Sequence, residues 1–326
     1  CCLGACVGRP NEAKVSVPGG CVVGAGPIDL DLRGLRDLGA TVRVEGGYVH
    51  AKAKRLIGGG SFLGGRCGPT VLGTANMLMA ASLAKGKTLI HSAACEPGIK
   101  DLDKFLNAMG AKISGAGSPT ITIQGVRRLR GAEHRVIPDR IEAATYALAG
   151  AVTGGDVTLR SCNPSHLIAV LDKMREAGVR LDVGRNTLRV RPAKRLRSVD
   201  ITTMPHAGFP TDVQAQMMVL MLKSPGISII TERIFESRFM HVNELARMGA
   251  DISIEGPSAI VKGGQPLSGA DVMASDLRAS AALVLAGMAA KGVTRVNRVY
   301  HIDRGYENID GKLRALGANI SREPGQ

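Results

Sequence analysis

Three arginines, two carboxylates and one thiol in this chain are poorly explained by packing. Arg238, Arg278 and Arg304 each sit close to the expected start of a helix, where a cation is unfavourable unless an anion offsets it. Asp212, Asp276 and the thiol of Cys21 stand at equivalent places. The amino end of a helix exposes unpaired N–H groups and a partial positive charge, so several ends aimed one way make an anion site. Capping alone would account for Asp or Thr at such places. It does not account for the arginines. The combination suits chemistry on a ligand that carries phosphate or carboxylate.

Those places recur because the chain repeats. A helical pattern ending in a glycine and followed by a short alternating strand appears as GLRDLGATVRV, FLNAMGAKISG, KMREAGVRLDV, ELARMGADISI and KLRALGANISR. The marker glycines are Gly39, Gly110, Gly178, Gly249 and Gly317, in steps of 71, 68, 71 and 68. Each is predicted to end its helix in the left-handed conformation that costs least without a Cβ. Between markers run apolar helices, expected over 75–84, 143–152, 215–222 and 279–290. One phase, 37 to 42 residues before a marker, holds Pro69-Thr70-Val71, Pro138-Asp139-Arg140, Pro210-Thr211-Asp212 and Ser275-Asp276-Leu277-Arg278. The other, 11 to 18 residues before a marker, starts the shorter helix and holds Cys21, Glu96, Asn163, Arg238 and Arg304.

The unit therefore reads strand, helix, strand, helix, strand, strand, which predicts an α/β fold. Turn and charge signals in GAEHRVIPDR put a domain join near Gly131–Pro138, giving domains 1–136 and 137–326. If the repeats pack about two pseudo-threefold axes, one per domain, the helix ends converge on the cleft between the domains. Only 38 residues precede the first marker, so the first copy reads as clipped and an N-terminal repeat as missing.

Composition narrows the function. The 326 residues include four Tyr, five Phe and no Trp, too few aromatic platforms for a base-stacking nucleic-acid binder. Lys and Arg number 42 against 28 Asp and Glu, a net charge of +14. The basic residues are scattered, which favours small phosphorylated substrates over nucleic acid. Seven cysteines at irregular spacing, with neither a CxxC pair nor a His cluster, argue against a zinc or disulfide framework and for a reducing cytoplasm. No metal and no cofactor is expected. No apolar run is long enough to span a membrane.

Five strings taken in order carry a resemblance: VPGGCVVG around Cys21, GFPTDVQAQ around Asp212, ESRFMHVNEL around Arg238, SDLRASAALVLAG around Arg278 and YHIDRGYE around Arg304. Together they resemble the enolpyruvyl transferases, from about Gly8 to Arg322. The resemblance implies a two-domain inside-out α/β barrel of βαβαββ units. It also implies transfer of the enolpyruvyl group of phosphoenolpyruvate to the 3′-hydroxyl of UDP-N-acetylglucosamine, a step of peptidoglycan synthesis, by a monomer without cofactor. On this reading Cys21 is the proton-donating loop thiol and Asp212 the base near the attacking hydroxyl. Arg304 binds phosphoenolpyruvate, and Arg238, Arg278 and Asp276 line the same site. Gly26 stands at a substrate-contacting position, Pro27, Ile28, Asp29 and Leu30 match the segment that holds uracil, Gly68, Pro69, Thr70 and Val71 match the turn that meets the diphosphate, and Ile234 matches a contact to the sugar nucleotide.

The sequence departs from the family pattern in places. Gly26 replaces an arginine that serves both substrates, Leu72 a glycine of the diphosphate turn, Gly98 an acidic residue and Cys95 another arginine. The family's N-terminal segment, with its Lys-Asn pair, has no counterpart in this sequence. These departures raise a second reading, a nucleotide-sugar binder of the same family with impaired turnover.

Overall fold

In the computed structural model of the chain, residues 2–9, 11–17 and 28–323 are described. Cys21, Gly26 and Pro27 lie outside them. The chain divides into two compact units. One holds the described residues up to Ile137 together with Pro205–Ala207; the other holds Pro138–Met204 and the described residues from Gly208 onward.

The repeat is visible as a sheet topology. One copy contributes strands Gly60–Phe62, Lys87–His91, Lys112–Ser114 and Thr120–Gln124, and another Ile201–Thr202, Gly226–Thr231, Asp251–Glu255 and Ser258–Gly263. Both lie in the order first, second, fourth, third. The first two strands of each are parallel and the remaining pairs antiparallel. A parallel pair needs a crossover, and the apolar helices Val71–Ala81 and Gln214–Lys223 supply it. Two further copies show the last three strands in the same arrangement, Glu12–Ser16 with Tyr48–Lys52 and Thr41–Glu45, and Val157–Arg160 with Thr187–Arg191 and Arg180–Val183. The fifth copy pairs Asp271–Met273 with Arg295–Asn297 in parallel.

All five marker glycines take positive φ, from +87° at Gly39 to +98° at Gly110 and Gly317. Each donates its N–H to the carbonyl three residues back, as Gly39 does to Arg36 at 2.8 Å and Gly249 to Ala246 at 2.9 Å. The following residue reaches five back, as Ala40 does to Leu35 at 3.0 Å and Ala250 to Leu245 at 3.1 Å. This paired arrangement satisfies carbonyls that the helix end would leave orphaned, and it turns the chain into the next strand.

The crossover helices lie inside and the sheets outside. In the second unit Arg140–Thr153, Gln214–Lys223 and Leu277–Ala289 pack on one another pairwise and are buried on nearly every side. In the first unit Val71–Ala81 packs against Cys2–Gly8 and Asp29–Asp37. A helix that is apolar all round has to be buried, so sequences such as ASAALVLAGMA dictate an inside-out barrel. Three of these helices start earlier than their apolar residues alone suggest, at Val71, Arg140 and Leu277. Thr70, Asp139 and Asp276 cap them, and the cap rather than the first apolar residue sets the start. Among the described residues no helix is long and apolar enough to cross a membrane.

Candidate active site

Within the second unit, two of the three central helices are capped alike at their amino ends and the third is not. The Asp139 carboxylate accepts from the N–H groups of Ile141 at 2.7 Å and Glu142 at 3.1 Å. Asp276 accepts from Arg278 at 2.7 Å and Ala279 at 3.0 Å. The middle copy breaks the pattern. Thr211–Val213 forms a 3₁₀ turn ahead of Gln214–Lys223, and neither Pro210 nor Val213, the residues that open these segments, caps with its side chain. Asp212 therefore carries no capping duty of the kind that Asp139 and Asp276 carry at the same phase.

Its carboxylate goes to the arginines instead. Asp212 Oδ1 lies 2.9 Å from Arg238 Nη1 and 3.9 Å from Arg278 Nε. The Arg238 and Arg278 side chains are only 9% and 12% exposed, whereas Asp212 is 40% exposed. The carboxylate is thus the open end of a nearly buried cluster. Burial pushes the Asp212 carboxyl up, but Arg238 and Arg278, with a smaller contribution from Arg140, outweigh it and hold the group below its ordinary range.

Each arginine is braced from behind. The Arg278 guanidinium lies 5.3 Å from the centre of the Tyr306 ring, and Tyr306 is almost wholly buried. The Tyr306 hydroxyl meets Thr145 Oγ1 at 2.9 Å, and Gln216 Nε2 donates to Thr145 Oγ1 at 3.1 Å, to Tyr306 at 3.3 Å and to the Asp212 carbonyl at 3.0 Å. Arg238 Nη1 donates to Thr211 Oγ1 at 2.9 Å, and its guanidinium lies 5.5 Å from the Phe235 ring centre. Among the described residues, Nε and Nη1 of Arg278 are buried without a hydrogen-bond acceptor. Such donors are costly to leave unmet and suit an incoming anion.

The structure brings Asp212, Arg238, Arg278 and Asp276 into one region of this unit. The short helices start after the arginines rather than at them. Arg238 precedes His241–Arg247 by one turn, and Arg304 closes the one-turn helix Tyr300–Asp303. Arg304 is exposed and stands two residues before Tyr306. Ile234 is half-buried, and its N–H donates to Glu232 Oε1 at 2.8 Å. Sequence reasoning missed Thr145, Gln216, Tyr306 and Glu232. Their signal was polar character inside otherwise apolar segments, as in VQAQMMVL and AATYALAG.

In the first unit Ile28 opens the helix Asp29–Asp37. A Cβ on Gly65 would come within 2.9 Å of Leu30 Cδ1, and Gly64–Gly65 pairs with Gly68–Pro69. The two stretches singled out here, Ile28–Leu30 and Gly68–Val71, therefore lie side by side. Gly68 has φ +101°, and Thr70 caps Val71–Ala81 by accepting from Gly73 N–H at 3.1 Å.

Helices wrapped inward by repeated sheets, with a carboxylate and arginines at the helix ends, place the chain in the α/β class of the enolpyruvyl transferases. The family EPSP synthase (3-phosphoshikimate 1-carboxyvinyltransferase) matches residues 2–313. A UDP-N-acetylglucosamine 1-carboxyvinyltransferase of Magnetococcus marinus is 56% identical over 98% of this chain and 76% of its own length. One from Myxococcus xanthus is 54% identical over the same shares. Among solved structures, the enolpyruvyl transferase NikO from Streptomyces tendae superposes with a TM-score of 0.85 at 28% identity, covering 98% of this chain and 76% of that one. An EPSP synthase from Acinetobacter baumannii shares the fold, with a TM-score of 0.73 at 19% identity over 98% of this chain and 77% of that one. The chain belongs to the enolpyruvyl transferase family, among the UDP-N-acetylglucosamine 1-carboxyvinyltransferases.

Proposed function

We propose that this protein transfers the enolpyruvyl group of phosphoenolpyruvate to the 3′-hydroxyl of UDP-N-acetylglucosamine and releases inorganic phosphate. The observation that carries the reading is the Asp212 carboxylate set beside Arg238 and Arg278, with buried Arg278 donors unmet among the described residues. In the first half of the reaction the sugar oxygen bonds to C2 of phosphoenolpyruvate. Its proton passes to Asp212, and C3 takes a proton from a donor, the role assigned to the Cys21 thiol. In the second half a C3 proton returns to that donor, the C2–phosphate oxygen bond breaks, and phosphate leaves with the proton that Asp212 took up, giving the enol ether. Arg238, Arg278 and Arg304 hold the phosphate and carboxylate and offset the charge that builds on them.

A carboxyl held low by two arginines is a weak base when the site is empty. A multiply charged anion drawn onto the same guanidinium groups competes for them and raises the proton affinity of Asp212. The base is thus activated by the substrate it serves. Ile28–Leu30 and Gly68–Val71 suit the uracil and diphosphate of the nucleotide. Asp276 acts from its cap, setting the first turn from which Arg278 projects.

The protein acts as a monomer in the cytoplasm, where the free thiols of Cys2, Cys6, Cys67, Cys95 and Cys162 fit a reducing compartment. Phosphate release measured with both substrates and with each alone tests the reading. The expected result is release that requires both. Tight nucleotide-sugar binding by calorimetry without any phosphate release would favour the binder instead.

A further inference from the structure

A fully buried carboxylate, Glu232, stands behind this site and belongs to none of the matched motif positions. It lies just past the strand Gly226–Thr231. Oε1 accepts from Thr203 Oγ1 at 2.6 Å, Ile234 N–H at 2.8 Å and Phe235 N–H at 3.0 Å, while Oε2 accepts from Thr211 Oγ1 at 2.9 Å. Taking a carboxylate out of water costs several kcal/mol unless its partners return it. An apolar residue would fill this place more cheaply, so the charge calls for a use.

The use follows from the direction of the bonds. A threonine hydroxyl has one proton to give, and Thr211 gives it to Glu232. Its lone pairs are left facing Arg238 Nη1, which donates to Thr211 Oγ1 and to Asp212 Oδ1, each at 2.9 Å. With Glu232 in place the line runs carboxylate, hydroxyl, guanidinium, carboxylate, and each bond has a fixed direction: Thr211 donates to Glu232, and Arg238 donates both to Thr211 and to Asp212. Glu232 also grips the N–H of Phe235, whose ring lies against the Arg238 guanidinium.

We infer that Glu232 is a positioning residue for the transfer reaction, acting through Thr211 to hold Arg238 where it sets the geometry of Asp212. The inference rests on Asp212 being the base, and it goes beyond that reading by naming what holds the base ready. It differs from a purely structural tie because glutamine separates the two roles. In Glu232→Gln the amide oxygen still accepts from Ile234 and Phe235, but the amide nitrogen cannot take the Thr211 proton.

The test compares Glu232→Gln, Thr211→Val, Thr211→Ser and Asp212→Asn in the full chain, each checked for its thermal transition. Expected for both Glu232→Gln and Thr211→Val is a fall in kcat of about tenfold to a hundredfold, the scale of one bond to a charged group, with KM for the nucleotide sugar little changed. Thr211→Ser, which keeps the hydroxyl, restores the rate. The double variant Glu232→Gln with Thr211→Val is no worse than either alone, because both cut the same line. A readout independent of turnover is the titration of the Asp212 carboxyl by carbon-13 NMR. It faces Arg238, Arg278 and Arg140, and loosening Arg238 moves its titration to higher pH. Glu232→Gln with the rate and the Asp212 titration of the parent overturns the inference. A parent that does not turn over, or an Asp212→Asn variant as active as the parent, overturns the assigned reaction or base instead, and the NMR titration still decides whether Glu232 sets Asp212.

Discussion

Asp212 shows how one side chain acquires a function by losing a routine one. At the same phase of two other copies Asp139 and Asp276 spend a carboxylate oxygen on helix N–H groups. The Asp212 carboxylate keeps its oxygens for Arg238 and Arg278. Asp212→Asn removes the proton acceptor while keeping the shape, so kcat is expected to fall by about 10²- to 10⁴-fold. Binding of the nucleotide sugar by calorimetry should stay within a few-fold, and an unchanged kcat would exclude Asp212 as base. Arg238→Gln tests the same carboxyl from the other side. Burial raises its proton affinity and Arg238 is the first of the groups that lower it. Losing that guanidinium therefore raises the pKa, and the acid limb of the kcat/KM profile should move to higher pH. A limb that stays in place would mean that Arg238 does not control this group.

At the scale of elements, the five helix-ending glycines were legible because spacing and residue type alone define them. The caps were less so, since Thr70, Asp139, Thr211 and Asp276 look alike in sequence, and only packing shows that the Thr211 hydroxyl turns away to Glu232. The marker glycines also offer a graded test. Gly249 has φ +88° with nothing among the described residues within 4 Å of an added Cβ, so Gly249→Ala bears only backbone strain. That strain is about 1–2 kcal/mol. Gly178 has φ +91°, but a Cβ there would stand 2.5 Å from the Arg195 carbonyl oxygen. Gly178→Ala must also displace the chain leaving the Thr187–Arg191 strand, and it should cost at least about twice as much. Urea midpoints of the two variants decide the matter. Equal losses would mean that the connection yields freely and that conformation alone sets the cost of a marker.

Across the whole molecule, the sequence made the repeat, the α/β class and the motif residues readable, because periodicity and local strings survive without coordinates. It hid the polar interior. Gln216, Tyr306, Glu232 and His241 come from different copies or different phases, and only the fold gathers them near the amino ends of the central helices. His241 gives that hidden interior a measurable consequence. It is almost wholly buried, its Nε2 has no hydrogen-bond partner among the described residues, and its pKa is pushed down to about 4. Burial is the main cause; Arg238 adds to it, and Asp276 opposes it. In the unfolded chain the same imidazole titrates near 6.5. As pH falls below that value the unfolded state takes up a proton that the folded state refuses, so stability declines between about pH 6.5 and pH 4. The loss approaches roughly 3 kcal/mol at the lower end. Carboxylates titrate in the same range, so the contribution is isolated by comparing the parent with His241→Phe, which keeps an aromatic ring but cannot take a proton. Above pH 7 the difference between their unfolding free energies should be constant. Below pH 6.5 it should shift steadily in favour of the phenylalanine variant, and two parallel curves would mean that His241 is not held neutral by the folded chain.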